Sequence, residues 1–311
     1  MTRIAEDNVV AALEQSDRVL FLELKGTASQ LENMVTVMQR PFPVLTHLII
    51  SSVKGNAPVL SAELLGGSAP YLQKLYLDGI PYPTLPRLLL SASDLVKLYL
   101  FNIPPTGYIS PRAMVACLVA LPRLERFAIG FQLANLRPDN LHPPPLTRAV
   151  LAALTSIVFQ GPSEYLEDFV SRIDGPRLNQ IFIHYLNQLV DFQVPQFSKF
   201  IDHSVCPEFT LFKHAYVVFS NDWVHFTTRR RANHLLSDED RDSAGTRISC
   251  QGTDWQVSHM SQVLRQISTT LSNVVHLSVL TNGVGELESM DGVEWLDLLR
   301  HISTVQTLQV S

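Results

Sequence analysis

The residues whose types could do chemistry fall into three groups, and the first is a set of histidines with nearby acids: His184, His203, His214 and His225, with Asp191 and Asp202. Imidazole and carboxylate together can ligate a metal or relay a proton. Their spacing matches no compact metal motif, so each reads as a surface or edge-strand residue. The second group, Glu164, Glu167 and Asp168, lies on one expected helix, where Glu164 and Asp168 share a face without an evident substrate pocket. The third is Cys117, Cys206 and Cys250, distant from one another and free of any Cys-x-x-Cys spacing, which indicates neither a disulfide framework nor a zinc site. No Gly-x-Ser-x-Gly, His-Glu-x-x-His, phosphate loop or dinucleotide fingerprint occurs, and Gly66-Gly67-Ser68-Ala69-Pro70 reads as a turn without the lysine of a nucleotide site. The expectation is a protein that is not an enzyme and holds no cofactor and no metal.

The elements that carry these residues are set by a recurring phrase: Leu45-x-x-Leu48-x-Ile50, Leu72-x-x-Leu75-x-Leu77, Leu95-x-x-Leu98-x-Leu100 and Leu124-x-x-Phe127-x-Ile129. Weaker copies centre on Leu22, Ile157, Ile181, Leu277 and Leu308. Alternation inside each phrase is the period-two pattern of a short strand, and the separations suit one strand plus one helix or turn. The expected fold is therefore α/β, a curved leucine-rich repeat solenoid with short parallel strands on a concave face and helices or turns on a convex one.

Helices are expected at Ser29 to Gln39, Val59 to Leu65, Leu85 to Ser91, Pro111 to Leu121, Thr147 to Leu151, Glu164 to Ile173 and Pro195 to His203. Ser110-Pro111 has the form of a helix start, a capping hydroxyl followed by a proline whose missing N–H costs nothing there. Ser163 before Glu164 reads the same way. Ala215 to Phe219 and Trp223 to Thr227 form an expected hairpin, and Arg229 to Gly245, mixed in charge and poor in apolar residues, an exposed excursion. The expected organisation is one leucine-rich repeat domain over 1–311, with regular repeats over about 19–184, irregular repeats and the excursion over about 185–254, and further repeats over about 255–311.

Composition agrees with a folded chain: of 311 residues, 46% are hydrophobic and 17% charged, with a formal net charge of -5. That balance disfavours nucleic acid as a partner. The apolar run Ala113 to Leu121 is far shorter than a membrane span, and no apolar leader segment opens the chain. No membrane partner is expected, and the expected localisation is cytoplasmic or nuclear.

The middle of the chain resembles the leucine-rich repeat region of basidiomycete fungal F-box-type proteins. The resemblance rests on Leu64-Leu65-Gly66-Gly67-Ser68-Ala69-Pro70-Tyr71-Leu72, on Leu85 to Val96, on Gly107-Tyr108-Ile109-Ser110-Pro111, on Leu121-Pro122-Arg123-Leu124-Glu125, and on the segments Ser163 to Asp168 and Ile173 to Asn179. It implies a substrate-selecting part of a ubiquitin-ligase adaptor. No F-box is recognisable before Val19, so Skp1 is an expected partner only if an F-box is supplied elsewhere. The phrases also lack the asparagine of ordinary repeats; Val53, Ile80 and Ile103 stand in its place, and other groups must satisfy the amides it would bind.

If the strands stack in register, the outward positions form rows. One row is His47, Lys74, Lys97 and Arg126, with cations about 5 Å apart at the strand spacing. The next holds Tyr76 and Tyr99, flanked by Asp78 and Phe101. Cations beside aromatic rings are the chemistry of a protein interface, and an acidic or phosphorylated peptide is the partner they suit. Two plainer accounts stand beside it: the cations are solvated or paired with carboxylates such as Asp78, and the rings pack across strands for their own stability. The expected function is a noncatalytic protein-recognition module binding a protein or acidic peptide. The alternative is a structural or regulatory scaffold that self-associates through its convex face or C-terminal edge.

Overall fold

Leucines two residues apart must leave the same side of an extended backbone, and each strong phrase forms a strand whose leucines are buried. The computed structural model describes residues 9–53, 58–132, 147–186, 193–204, 212–220, 223–229, 245–251, 256–267, 271–282, 296 and 299–310. The chain divides into two units, the first comprising Met1–Asp139 with Ala149–Leu154 and the second Asn140–Arg148 with Thr155–Ser311.

In the first unit β1 (Phe21–Gly26), β2 (His47–Ser52), β3 (Lys74–Asp78), β4 (Lys97–Ile103) and β5 (Arg126–Phe131) lie side by side in chain order, all parallel. Their register aligns Leu22, Leu48, Leu75, Leu98 and Phe127 in one row, and Leu24, Ile50, Leu77, Leu100 and Ile129 in the next. Every residue of both rows is buried. Burying each such side chain contributes about 1.5–3 kcal/mol, which makes these rows a substantial part of the unit's core.

Strands β3, β4 and β5 are entered by the same backbone device. The Thr46 carbonyl accepts from the N–H groups of Gln73 (2.8 Å) and Lys74 (3.0 Å), the Gln73 carbonyl from Val96 and Lys97, and the Val96 carbonyl from Glu125 and Arg126. Strand exits are handled likewise: the Val53 N–H donates to the Gly26 carbonyl at 3.0 Å. Backbone carbonyls thus do work that an asparagine side chain would otherwise do.

The connections hold α1 (Ala28–Val37), α2 (Leu85–Leu89) and α3 (Pro111–Val119), with single 3-10 turns at Ser16–Arg18, Leu64–Gly67 and Pro105–Gly107. Ser110 caps α3 as its sequence predicts, its Oγ accepting from the Ala113 N–H at 3.3 Å. The expected helix at Thr147 to Leu151 is instead the two-residue strand β6 (Ala149–Val150).

The second unit contains β7 (Ser156–Gly161), β8 (Ile173–Asp174), β9 (Gln180–Tyr185), β10 (His214–Ser220), β11 (Trp223–Arg229), β12 (Gly245–Gln251), β13 (His276–Asn282) and β14 (Thr307–Val310), with α4 (Ser163–Val170), α5 (Pro195–Ser204) and α6 (Gln256–Gln266). Its sheet order is β7-β9-β12-β11-β10-β13-β14. Pairs β7/β9, β9/β12, β10/β13 and β13/β14 are parallel, whereas β10/β11 and β11/β12 are antiparallel.

This mixed sheet overturns the expected curved leucine-rich repeat solenoid. A solenoid grows by adding one parallel strand per repeat beside the last. Here the chain leaves β9, enters the sheet at β10, and returns through two antiparallel steps that set β12 against β9. The physical reason lies partly in connection length. Only Asn221 and Asp222 separate β10 from β11, and a parallel crossover needs a dozen or more residues. The fold is α/β with a parallel sheet in the first unit and a mixed one in the second.

α4 begins one residue earlier than expected, at Ser163, with Pro162 in the cap position, and the Ser163 hydroxyl donates to the Glu164 carboxylate instead of capping the helix. Most of the expected exposed excursion, 230–244, lies outside the described residues. Among the described residues no helix is long and apolar enough to cross a membrane.

Candidate recognition face

Because Leu75 and Leu77 of β3 and Leu98 and Leu100 of β4 point into the core, the residues between them point the other way. Register sets His47 beside Lys74, Lys74 beside Lys97, and Lys97 beside Arg126; one row on, Tyr76 meets Tyr99, and beyond it Asp78 meets Phe101. Every one of these candidate residues is half-buried. The strands therefore bring the whole set together on one face of the first unit.

The three rings form a triangle. Tyr76 lies 6.1 Å from Tyr99 and 5.7 Å from Phe101, both tilted, and Tyr99 stacks against Phe101 at 6.3 Å with 11° between planes. These separations fall in the range where aromatic pairs attract. The Lys74 Nζ stands 6.0 Å from the Tyr99 ring centroid, a contact at the outer limit of a cation–π interaction.

The electrostatics of the face are uneven. Asp78 does not neutralise the lysines; its Oδ1 accepts from the Asn102 Nδ2 at 2.6 Å. Among the described residues neither Lys74 nor Lys97 has a carboxylate within 4.0 Å. Asn102 reaches Asp78 because its backbone is left-handed, with φ 49, at a register irregularity between Leu100 and Ile103. Asparagine tolerates that conformation better than most residues. Beside it, Gly79 at φ 68 ends β3 and donates its N–H to the Phe101 carbonyl at 2.9 Å.

Two members of the face escaped the pattern. Phe21, 54% exposed, extends the first row, with its ring 5.9 Å from that of His47. Carrying the row back to the phrase centred on Leu22 would have found it. Asn102 follows the last outward ring of β4, and no alternation rule marks it. The face closes toward β5, where Ala128, opposite Tyr99, is fully buried.

The other candidate groups do not converge. His184 on β9 and His225 on β11 are separated by β12. His214 on β10 stacks on His276 of β13 at 4.7 Å and 14°. Burial lowers the pKa of His184, and burial, then His276 and Lys213, lowers that of His214. Asp202 is exposed on α5, while Asp191 and Cys206 lie outside the described residues. Among the described residues, no three metal-ligating side chains cluster. Cys117 is buried in α3, which pushes its thiol up to about 11, far from a reactive thiolate.

The acids of α4 serve the fold. The Asp168 Oδ1 takes the Nε (2.9 Å) and Nη2 (2.6 Å) of Arg172. Glu167 caps the next helix, accepting the N–H of Gln196 and of Phe197, each at 2.8 Å. Burial pushes Glu167 up to about 7, while those two N–H groups and Lys199 pull it back. A cleft of about 520 Å³ in the second unit is lined by Lys213, Ser272, Asn273, Ser303, Thr304 and Gln306, among others, and contains no paired acid and base.

Compared with known proteins, the chain matches no family model, no curated protein and no solved structure. Together with the mixed sheet of the second unit, this corrects the expected relationship to the leucine-rich repeat region of F-box-type proteins. The descriptions leucine-rich repeat, solenoid and F-box-like go with it.

Proposed function

We propose that the chain is a protein-recognition module that holds an acidic segment of a partner protein on the outward face of β3 and β4. The observation that carries this reading is the pair Lys74 and Lys97. They are neighbours in register, half-buried, without a carboxylate within 4.0 Å among the described residues, and bordered by the triangle of Tyr76, Tyr99 and Phe101. Two ammonium groups on adjacent strands repel each other, and like charges directly opposite are destabilising in a sheet. A ligand carboxylate converts that repulsion into attraction, and the rings supply rigid contact area next to it. Arg126 extends the positive row.

The test replaces Lys74, Lys97 and Arg126 together by Glu and measures binding of a panel of acidic peptides, with circular dichroism as the control for folding. The expected result is a loss of at least about tenfold in affinity with an unchanged spectrum, tenfold being 1.4 kcal/mol. Equal binding by the triple variant would sink this assignment of the face.

A second reading has one observation in its favour. Leu308 and Val310 of β14 stand in register with the buried Leu277 and Val279, yet are 49% and 64% exposed. A scaffold that self-associates through this edge would cover them. Sedimentation velocity on the wild type and on Leu308→Lys separates the readings, since a monomer at all concentrations removes the scaffold.

A further inference from the structure

The spacing of the two rows limits what a partner segment can look like, provided that the recognition reading above holds. Lys74 and Tyr76 are two residues apart on β3, as are Lys97 and Tyr99 on β4. Residues two apart on a strand are about 6.6 Å apart on one side. An extended peptide lying along β3 and β4 has the same repeat, so its own same-side residues fall on the two rows together. We infer that the ligand is an extended segment in which a Glu or Asp and an aromatic residue are separated by one residue.

The acid meets the ammonium groups of Lys74 and Lys97, while the aromatic ring covers the triangle of Tyr76, Tyr99 and Phe101. Adjacent acid and aromatic residues would point to opposite sides of an extended peptide, as would a pair separated by two residues. Only one of the two then reaches the face.

Asp78 gives the arrangement a polarity. It stands four residues along β3 from Lys74, about 13 Å away. Its bond to Asn102 orients the carboxylate without supplying a positive charge. An acid in the ligand, placed two residues beyond the aromatic, falls near Asp78 and is repelled; a lysine there is attracted. The favoured pattern is acid, any residue, aromatic, any residue, base, read in one direction or the other along the peptide.

Fluorescence anisotropy with short labelled peptides in a glycine and serine background tests this on the full chain. The peptides carry Glu and Phe adjacent, separated by one residue, or separated by two, and the one-residue form is made in both chain directions. Binding of one directional form at least about tenfold tighter than both other spacings is the expected result. Adding Lys two residues beyond the Phe should tighten it further, and adding Glu there should weaken it. Asp78→Asn should abolish the difference between those two additions.

The outcomes separate the two claims. If all spacings bind alike and Lys74→Glu with Lys97→Glu weakens them alike, the recognition face stands and the spacing rule is overturned. If no peptide binds, or the double variant binds as the wild type does, both fall. A phosphoserine peptide that binds about tenfold tighter than its Glu counterpart would replace the carboxylate by a phosphate and overturn the inference as stated.

Discussion

The strands of the two units differ in how far their outward faces are buried. In the first unit, β3 alternates throughout, with buried leucines on one side and half-exposed Lys74, Tyr76 and Asp78 on the other, and β4 does the same from Lys97 to Phe101, before the irregularity at Asn102. In the second, the positions that share a face with Tyr216 include Val218 at 0% exposure and Thr227 at 4%, while Val217 and Phe226 on the opposite face are buried as well. β3 and β4 are therefore open on one side, whereas β10 and β11 are closed on both at their centre. An open side is free to carry recognition chemistry, whereas a closed one is committed to packing. The sequence pattern follows: alternation in β3 and β4, and in β10 the nearly unbroken apolar run Ala215-Tyr216-Val217-Val218-Phe219.

Val218→Asp places an unpaired carboxylate where nothing is exposed, and should destabilise the second unit by about 3–5 kcal/mol. Tyr76→Ser, at an outward position of the first unit, should cost less, its two ring contacts contributing about 1–3 kcal/mol together. Urea unfolding followed by circular dichroism compares the two. Similar losses would mean that the face of β3 and β4 is packing surface, which would remove the basis of the recognition proposal.

What was readable in the sequence was local. The phrases around Leu48, Leu75, Leu98 and Phe127 became strands because period-two alternation and flanking prolines leave little else, and the cation row followed from aligning them. The β10 and β11 hairpin was readable too, because a two-residue connection permits only antiparallel pairing. Long-range pairing was not. Val274-x-x-Leu277-x-Val279 carries the same local signature as the earlier phrases, yet β13 pairs with β10 and not with β12, the strand that precedes it in the chain. A strand's pattern states which face it buries and is silent on which neighbour it takes. The Glu167 cap on the start of α5 joins residues about thirty apart, and no spacing rule finds it.

That cap supplies the next prediction, smaller and confined to the closed side of the comparison. With its folded pKa at about 7 against an ordinary value of 4.5, Glu167 binds a proton more readily in the folded state. Its contribution to stability is full below about 4.5 and is lost as pH rises through 7. His214 runs the other way: its folded pKa is lowered from 6.5, so its contribution is present above that value and is lost as pH falls. The two slopes oppose each other across mildly acidic pH. Glu167→Gln should remove the loss toward neutrality and leave the acid-side loss, a change on the order of 1–3 kcal/mol across the range. Thermal unfolding from about pH 4 to about pH 8 reads both slopes, and an unchanged profile in Glu167→Gln would show that the carboxylate does not titrate there.

Asn102 combines a left-handed backbone with a side-chain bond to Asp78, and the two can be separated. Asn102→Gly keeps the conformation cheap and loses the bond. Asn102→Ala loses the bond and adds the cost of a Cβ in the left-handed region, about 1 kcal/mol. Alanine should therefore be less stable than glycine by about that amount, whether Asp78 is kept or replaced through Asp78→Ala. Double-variant cycles with Asp78→Ala then isolate the side-chain bond, which should contribute about 1.5–3 kcal/mol at most as a bond to a charged group, and less because Asn102 is exposed. A coupling near zero would mean that Asp78 is held by its strand alone, and its role in ligand polarity would then not depend on Asn102.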